Sequence, residues 1–165
     1  MGDVLMTTPA LRALKALPQR PHLTLLTSSA GAALAGHLPM VDDVLVYDAP
    51  WVKQPQGAGS PKQDREWIER LGNGAFDAAV IFTVFSQSPL PAALLCRLAG
   101  IPLQLAHCRE NPYQLLSDRV AETEPQQRLR HEVQRQLDLV AAIGAATSDT
   151  RLAFVPRARD RAAIR

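Results

Sequence analysis

The residues best equipped for chemistry stand at the start of the chain. Gly2 and Asp3 lie just ahead of Thr8-Pro9-Ala10-Leu11, a run with the marks of a helix start. Thr8 suits the N-cap, where a hydroxyl accepts a free backbone N–H of the first turn. Pro9 suits the first helical position, where no N–H is needed. Asp3 therefore sits near a helix N-terminus, whose field favours the carboxylate anion. Two readings stay open for it: a further capping acid, or a general base in the crevice at the strand ends of an α/β sheet. Gly2 has no side chain to keep a ligand from the backbone, and Thr7 offers a hydroxyl close by.

Other polar groups fall in segments that follow apolar runs. In Phe85-Ser86-Gln87-Ser88-Pro89 the hydroxyls and amide suit sugar hydroxyls, with Ser86 and Gln87 as substrate contacts. Ser88, directly before Pro89, also fits a cap. Within His107-Cys108-Arg109-Glu110-Asn111-Pro112-Tyr113, Arg109 could grip a phosphate or carboxylate as a fork, beside Glu110 and Asn111. The competing reading is a salt-bridged loop. Lys53 is a second cation for an anionic group, or a solvated surface residue. His131 falls on the polar face of a long helix; without a second His at i+4 it does not suggest a metal site. Cys96 and Cys108 show no CxxC spacing, so neither a zinc site nor a redox pair is expected.

These residues need a scaffold that gathers loop ends. Helices are predicted over 9–17, 28–38, 62–71, 89–99 and 126–143, with Leu129, Val133, Leu137 and Val140 on one face of the last and Gly144 ending it. Strands are predicted over 22–27, 43–47, 77–82 and 102–106. The segment 77–82 has the continuous apolar character of a parallel-sheet strand. Residues 50–61 and 107–125 are loops, and 151–155 is a last strand or a linker. Strand and helix alternate, which predicts an α/β fold: a Rossmann-like parallel sheet with helices on both faces and its ligand edge at the strand carboxyl ends.

Composition narrows the function classes. With 47% apolar and 21% charged residues the chain is globular in type, and with 5% aromatics its core is aliphatic. A net charge of +2 is too small to argue for nucleic acid binding. The five arginines at 151, 157, 159, 161 and 165 fit a solvated segment better than a binding tail. No apolar run reaches the ~18 residues of a membrane span, and the N-terminus lacks signal-peptide character.

The run Gly2-Asp3-Val4-Leu5-Met6-Thr7-Thr8-Pro9-Ala10-Leu11-Arg12-Ala13-Leu14-Lys15 resembles the N-terminal signature of glycosyltransferase family 9, the ADP-heptose:lipopolysaccharide heptosyltransferase group. Three later segments agree in order and spacing: 22–27 with Ser28-Ser29-Ala30-Gly31, Phe76-Asp77-Ala78-Ala79-Val80-Ile81, and His131-Glu132-Val133 through Leu137. The resemblance implies the GT-B fold, in which two Rossmann-like domains face each other, the N-terminal one holding the acceptor and the C-terminal one the nucleotide sugar. It implies an inverting reaction that needs no cofactor or metal. Its catalytic acid maps onto Asp3, which would take the proton of the acceptor hydroxyl. Lys53 and Arg109 then become acceptor contacts. The donor would be a nucleotide sugar such as ADP-heptose, and the acceptor a lipopolysaccharide core or similar glycan. The setting would be cytoplasmic, with peripheral contact at the inner-membrane face.

The family pattern has a strand ahead of the Gly-Asp turn that this sequence lacks, so two neighbouring strands should show unpaired edges. The expected organisation is an acceptor domain over 1–155, truncated at its N-terminus, and the start of an interdomain linker over 156–165. On this expectation the donor domain is absent from the sequence, and the fragment alone should be inactive. The main alternative is a non-catalytic α/β module that binds sugar or phosphate. A flavodoxin-like nucleotide or signalling domain is disfavoured, because no phosphate-cradling glycine loop or acidic cluster is present.

Overall fold

Small side chains and prolines at helix starts shape the elements of the computed structural model, which describes residues 1–52 and 59–156. The chain divides into two units, Met1–Tyr47 with Glu132–Arg165, and Asp48–His131. Among the described residues all strand pairing is parallel, and the ladders form two separate sheets.

In the first unit, helices α1 (Gly2–Met6) and α2 (Thr8–Lys15) are followed by β1 (Thr24–Thr27), α3 (Ser29–Ala35) and β2 (Asp43–Val46). The register of β1 on β2 runs from Thr24 opposite Asp43 to Thr27 opposite Val46. Ser28 caps α3 as its side chain accepts from Gly31 N at 3.3 Å. A Cβ built on Gly31 would lie 2.1 Å from Thr27 Oγ1 and 3.1 Å from Val4 Cγ2. Glycine here lets α3 approach the end of β1 and the side of α1. The closing helix of this unit (Glu132–Ala141) packs against α2. Ala10, Ala13, Leu14, Val133, Leu139 and Val140 are buried, the aliphatic core expected of a chain poor in aromatics.

The second unit holds α4 (Pro61–Asn73), β3 (Ala78–Ile81), α5 (Leu90–Leu98), β4 (Leu103–Cys108) and β5 (Asp118–Ala121). The helix of the first unit that closes the chain's secondary structure is thus α6. Strand order is β3-β4-β5. Ser60 caps α4 through Gln63 N, with Pro61 in its first turn. Ile81, Ala93, Ala106, Cys108 and Leu116 form one buried cluster between α5 and the sheet, with Leu90, Ala92 and Leu115 packed against it. Gly72 of α4 would bring a Cβ within 3.2 Å of the Ala99 carbonyl, so the α4–α5 approach also requires a missing side chain.

Six expectations are corrected. Gly2 and Asp3 form no turn ahead of a helix but the first turn of α1, which runs into α2 through the helical backbone of Thr7 (φ −80°, ψ −10°). Thr8 is consequently no N-cap: its Oγ1 donates to Leu5 O at 2.7 Å, the back-bond open to a threonine inside continuous helix. The segment 107–125 is not all loop, because Asp118–Ala121 pairs with β4 as β5. Helix α6 starts at Glu132 and not at 126, so Leu129 is exposed. Residues 151–155 form no strand; Ala153 N donates to Thr8 Oγ1 at 3.0 Å and Val155 N to His37 O at 3.0 Å. The sheet expected to be continuous pairs as two: among the described residues β1 has one ladder partner, β2, and β3 has one, β4.

Candidate functional site

Because β3, β4 and β5 are parallel, their carboxyl ends share one edge, and the segments after them are brought together there. Arg109, just past β4, donates through Nη2 to the Phe85 carbonyl at 3.2 Å and to the Glu124 carbonyl. Its fork thus ties the segment after β3 to the segment after β5. Arg119 performs a similar task within the β4–β5 connection, donating to Cys108 O at 3.0 Å and Arg109 O at 3.1 Å. The salt-bridged-loop reading of Arg109 comes close, although its partners are carbonyls and not carboxylates.

Glu110 projects beside this clamp. Its own backbone amide, then the Cys108 thiol, the Ser88 hydroxyl and the Arg109 charge hold its carboxyl below the usual glutamate range. A carboxylate that stays ionised can accept from ligand hydroxyls and cannot donate to them. Ser88 also accepts from Leu90 N at 3.3 Å, the capping role its place before Pro89 suggests. Ser86 and Gln87 are exposed in the turn that follows β3, with Gln87 N donating to Val84 O at 3.0 Å. Asn111 Oδ1 accepts from Tyr113 N at 3.0 Å, an Asx turn that shapes the segment and leaves the Asn111 amide nitrogen outward. Ser88, Arg109 and Glu110 therefore converge, while Ser86, Gln87 and Asn111 lie on the same strand-end loops.

A second ionic group at this edge was not anticipated. Glu122 and Glu124 follow β5 and are both buried. Arg130 reaches them, through Nε to Glu124 Oε1 and through Nη2 to Glu122 Oε1 at 3.6 Å. Glu124 Oε1 also accepts from Arg130 N at 3.3 Å, and Glu122 Oε1 from Glu124 N at 2.9 Å. Drawing Arg130 back onto Glu124 keeps 126–131 out of helical register, which is why α6 starts late. The sequence signal was available: two acids two residues apart before Pro125, with an arginine six residues on.

The remaining candidates are placed separately. In the first unit Gly2 and Asp3 are exposed, and no atom lies within 4 Å of a Cβ built on Gly2. Asp3 O accepts from Thr7 N at 3.2 Å, so the helix fixes its backbone while its side chain faces out. Thr7 is buried and its hydroxyl donates to Val4 O at 2.8 Å. His131 is exposed one residue ahead of α6, no longer on a helix face. Lys53 lies outside the described residues. Among those described, no group of three His, Cys, Asp or Glu side chains could hold a metal ion. No described helix is long and apolar enough to cross a membrane.

Comparison with protein-family models and with curated proteins finds no match. Comparison of structures does. The chain is similar to the crystal structure of the glycosyl transferase family 9 from Veillonella parvula, with TM-score 0.63 and 14% identity over 92% of this chain and 40% of that one. It is also similar to E. coli ADP-heptose lps heptosyltransferase II, with TM-score 0.66 and 17% identity over 97% of this chain and 45% of that one. The fold is that of the glycosyltransferase family 9 structures. The chain spans less than half the length of either. The family 9 fold supplies the α/β architecture with parallel strands expected from the alternation of elements, and the loops bearing Arg109, Glu110 and Ser88 occupy its strand-end edge.

Proposed function

We propose that this chain is the acceptor-binding, Rossmann-like half of an inverting GT-B glycosyltransferase that moves a heptose or related sugar from a nucleotide sugar to a lipopolysaccharide-core or similar glycan acceptor. The reading is carried by the likeness to two glycosyltransferase structures across nearly all of this chain, at TM-scores of 0.63 and 0.66. The Gly2-Asp3 run adds support, since the exposed Asp3 carboxylate is open to an incoming hydroxyl.

In this mechanism Asp3 accepts the proton of the acceptor hydroxyl as that oxygen bonds to the anomeric carbon. The bond from that carbon to the nucleotide diphosphate breaks, and the diphosphate leaves with the electron pair. Within the second unit, Glu110, kept ionised, is assigned to acceptor hydroxyls, with Ser86, Gln87 and Asn111 as further acceptor contacts. Gly2 lets the acceptor close on the backbone. Lys53 is assigned to an anionic substituent of the acceptor and His131 to the far end of its chain. Arg109 and Thr7 act by holding the loop and helix that carry these groups. The linker begins near residue 156, and work at the cytoplasmic face of the inner membrane would suit a lipid-linked acceptor.

The test is sugar transfer from ADP-heptose by the product of the complete reading frame that contains this sequence, alongside its Asp3→Ala form. Transfer that drops by about 10²-fold or more in Asp3→Ala is the expected result. Retention of glycan binding with no transfer by the complete product would favour the binding-module alternative.

A further inference from the structure

After α6 the chain of the first unit does not simply run off its surface. Residues 149–155 are drawn back over α2 and the end of α3 by a series of long-range contacts. Arg12 Nη1 of α2 donates to Asp149 O and, at 3.0 Å, to Arg151 O. The same nitrogen lies 3.8 Å from Asp149 Oδ1. One turn back along α2, the buried Thr8 accepts from Ala153 N at 3.0 Å. Just past α3, His37 O accepts from Val155 N at 3.0 Å, and His37 Nδ1 lies 3.0 Å from Val155 O. A carbonyl requires that ring nitrogen to be the donor. The His37 ring also stacks on Phe154, with centroids 4.6 Å apart and planes 19° apart. As the sequence rises from Asp149 to Ala153, the partners fall from Arg12 to Thr8, so this strap runs antiparallel to α2.

The forces that hold the strap differ from those that hold the helices beneath it. Ala10, Ala13, Leu14, Leu139 and Val140 are buried, whereas Leu152, Phe154 and Val155 are exposed. The strap is thus fastened by hydrogen bonds and one ring stack, with little burial behind them. Segments of that kind open at lower free energy than the core they lie on. The Asp149 carboxyl is held below the usual aspartate range, chiefly by the Arg151 guanidinium, so it keeps its negative charge beside Arg12.

We propose that residues 149–155 form a latch that opens and closes as one unit over intact α2, α3 and α6, and that the closed latch fixes the direction in which the chain runs on from Val155. The contacts are spaced along one short stretch of chain, so releasing one end frees the next bond to be lost. The proposal goes beyond the transferase reading and does not depend on it, because Arg12, Thr8, His37 and the strap all belong to the first unit.

The experiment is native-state amide hydrogen exchange of the chain, followed by NMR. After correction for intrinsic rates, the Ala153 and Val155 amides should show one common opening free energy, lower than that of the Leu139 and Val140 amides of α6. Arg12→Met keeps an apolar stem and removes the donors. It should speed exchange about tenfold or more, and by the same factor at Val155 as at Ala153, although Arg12 bonds only to Asp149 and Arg151 O in the strap. His37→Ala acts from the other end and should speed Ala153 as much as Val155, so the test survives if Arg12→Met does not fold. Unequal opening of the two amides, strap amides as slow as those of α6, or an effect of each variant confined to its nearest amide would each overturn the proposal.

Discussion

The Arg109 guanidinium donates to the Phe85 carbonyl at 3.2 Å, across 24 residues of sequence, and the same nitrogen donates to the Glu124 carbonyl. One side chain thus joins the ends of three parallel strands. A residue placed to grip an anionic ligand instead spends its donors on the protein, where charge-assisted bonds to carbonyls order the loops that carry Glu110 and Ser88.

Arg109→Ala should therefore act on stability as well as on any ligand. Losing two hydrogen bonds from a charged donor is expected to cost about 2–4 kcal/mol in urea unfolding. Arg109→Lys should recover only part of this, because an ammonium on a shorter stem cannot reproduce the reach of Nη2. Full recovery with lysine would assign Arg109 to charge alone.

Gly31→Ala should be destabilising even though alanine is the better helix former. The new Cβ would meet Thr27 Oγ1 at 2.1 Å, and overpacking of this kind costs about 1–3 kcal/mol, more than the ~1 kcal/mol of helix propensity gained. Adding Thr27→Ala removes the clashing hydroxyl and should restore much of the loss. A double-mutant cycle by thermal unfolding would show strong coupling, and additive effects would contradict this packing.

Stability should fall on the acid side partly through Asp42. The Lys15 ammonium, then the Leu23 amide, which Asp42 Oδ2 accepts at 2.7 Å, hold its carboxyl below the ordinary value of 3.8. A folded-state pKa below the unfolded one makes a contribution that is complete above the unfolded value and is lost as pH falls through the folded one. The melting temperature followed downward from pH 5 should decline less steeply in Asp42→Asn than in the parent chain. Equal slopes would remove Asp42 from the account.

Both thiols should be inert in the folded protein. Burial pushes Cys96 up to about 11, and burial together with Glu110 raises Cys108. The thiolate is the reactive form, so neither should react rapidly with a disulfide reagent at pH 8 until denaturant is added. Rapid labelling of one thiol under native conditions would mean that its region opens locally.

What could be read from sequence was the part governed by neighbours along the chain. The apolar run read over 77–82 became β3, the helix read over 62–71 became α4, and Gly144, at φ +79°, ends the turn after α6. The run that resembles family 9 also led to the fold that the solved structures share. These features follow from hydrophobic period, capping and left-handed backbone, all local properties.

Tertiary partners decided the rest. Asp118-Arg119-Val120-Ala121 has one large apolar residue and becomes strand only because β4 offers it a ladder. Residues 126–131 looked helical, but the buried Glu124 carboxylate holds Arg130 out of that register. Thr8 looked like a cap, yet helix precedes it and its hydroxyl binds Leu5 and Ala153, 145 residues away. The site divides on the same line. The sequence determined which polar residues follow strands, and the fold decided which are spent on the protein. Arg109 clamps two loops and Thr7 bonds its own helix, while Asp3 and Glu110 stay turned outward. Hydrogen bonds between distant segments form only once those segments are folded against each other, so residue type and spacing do not encode them.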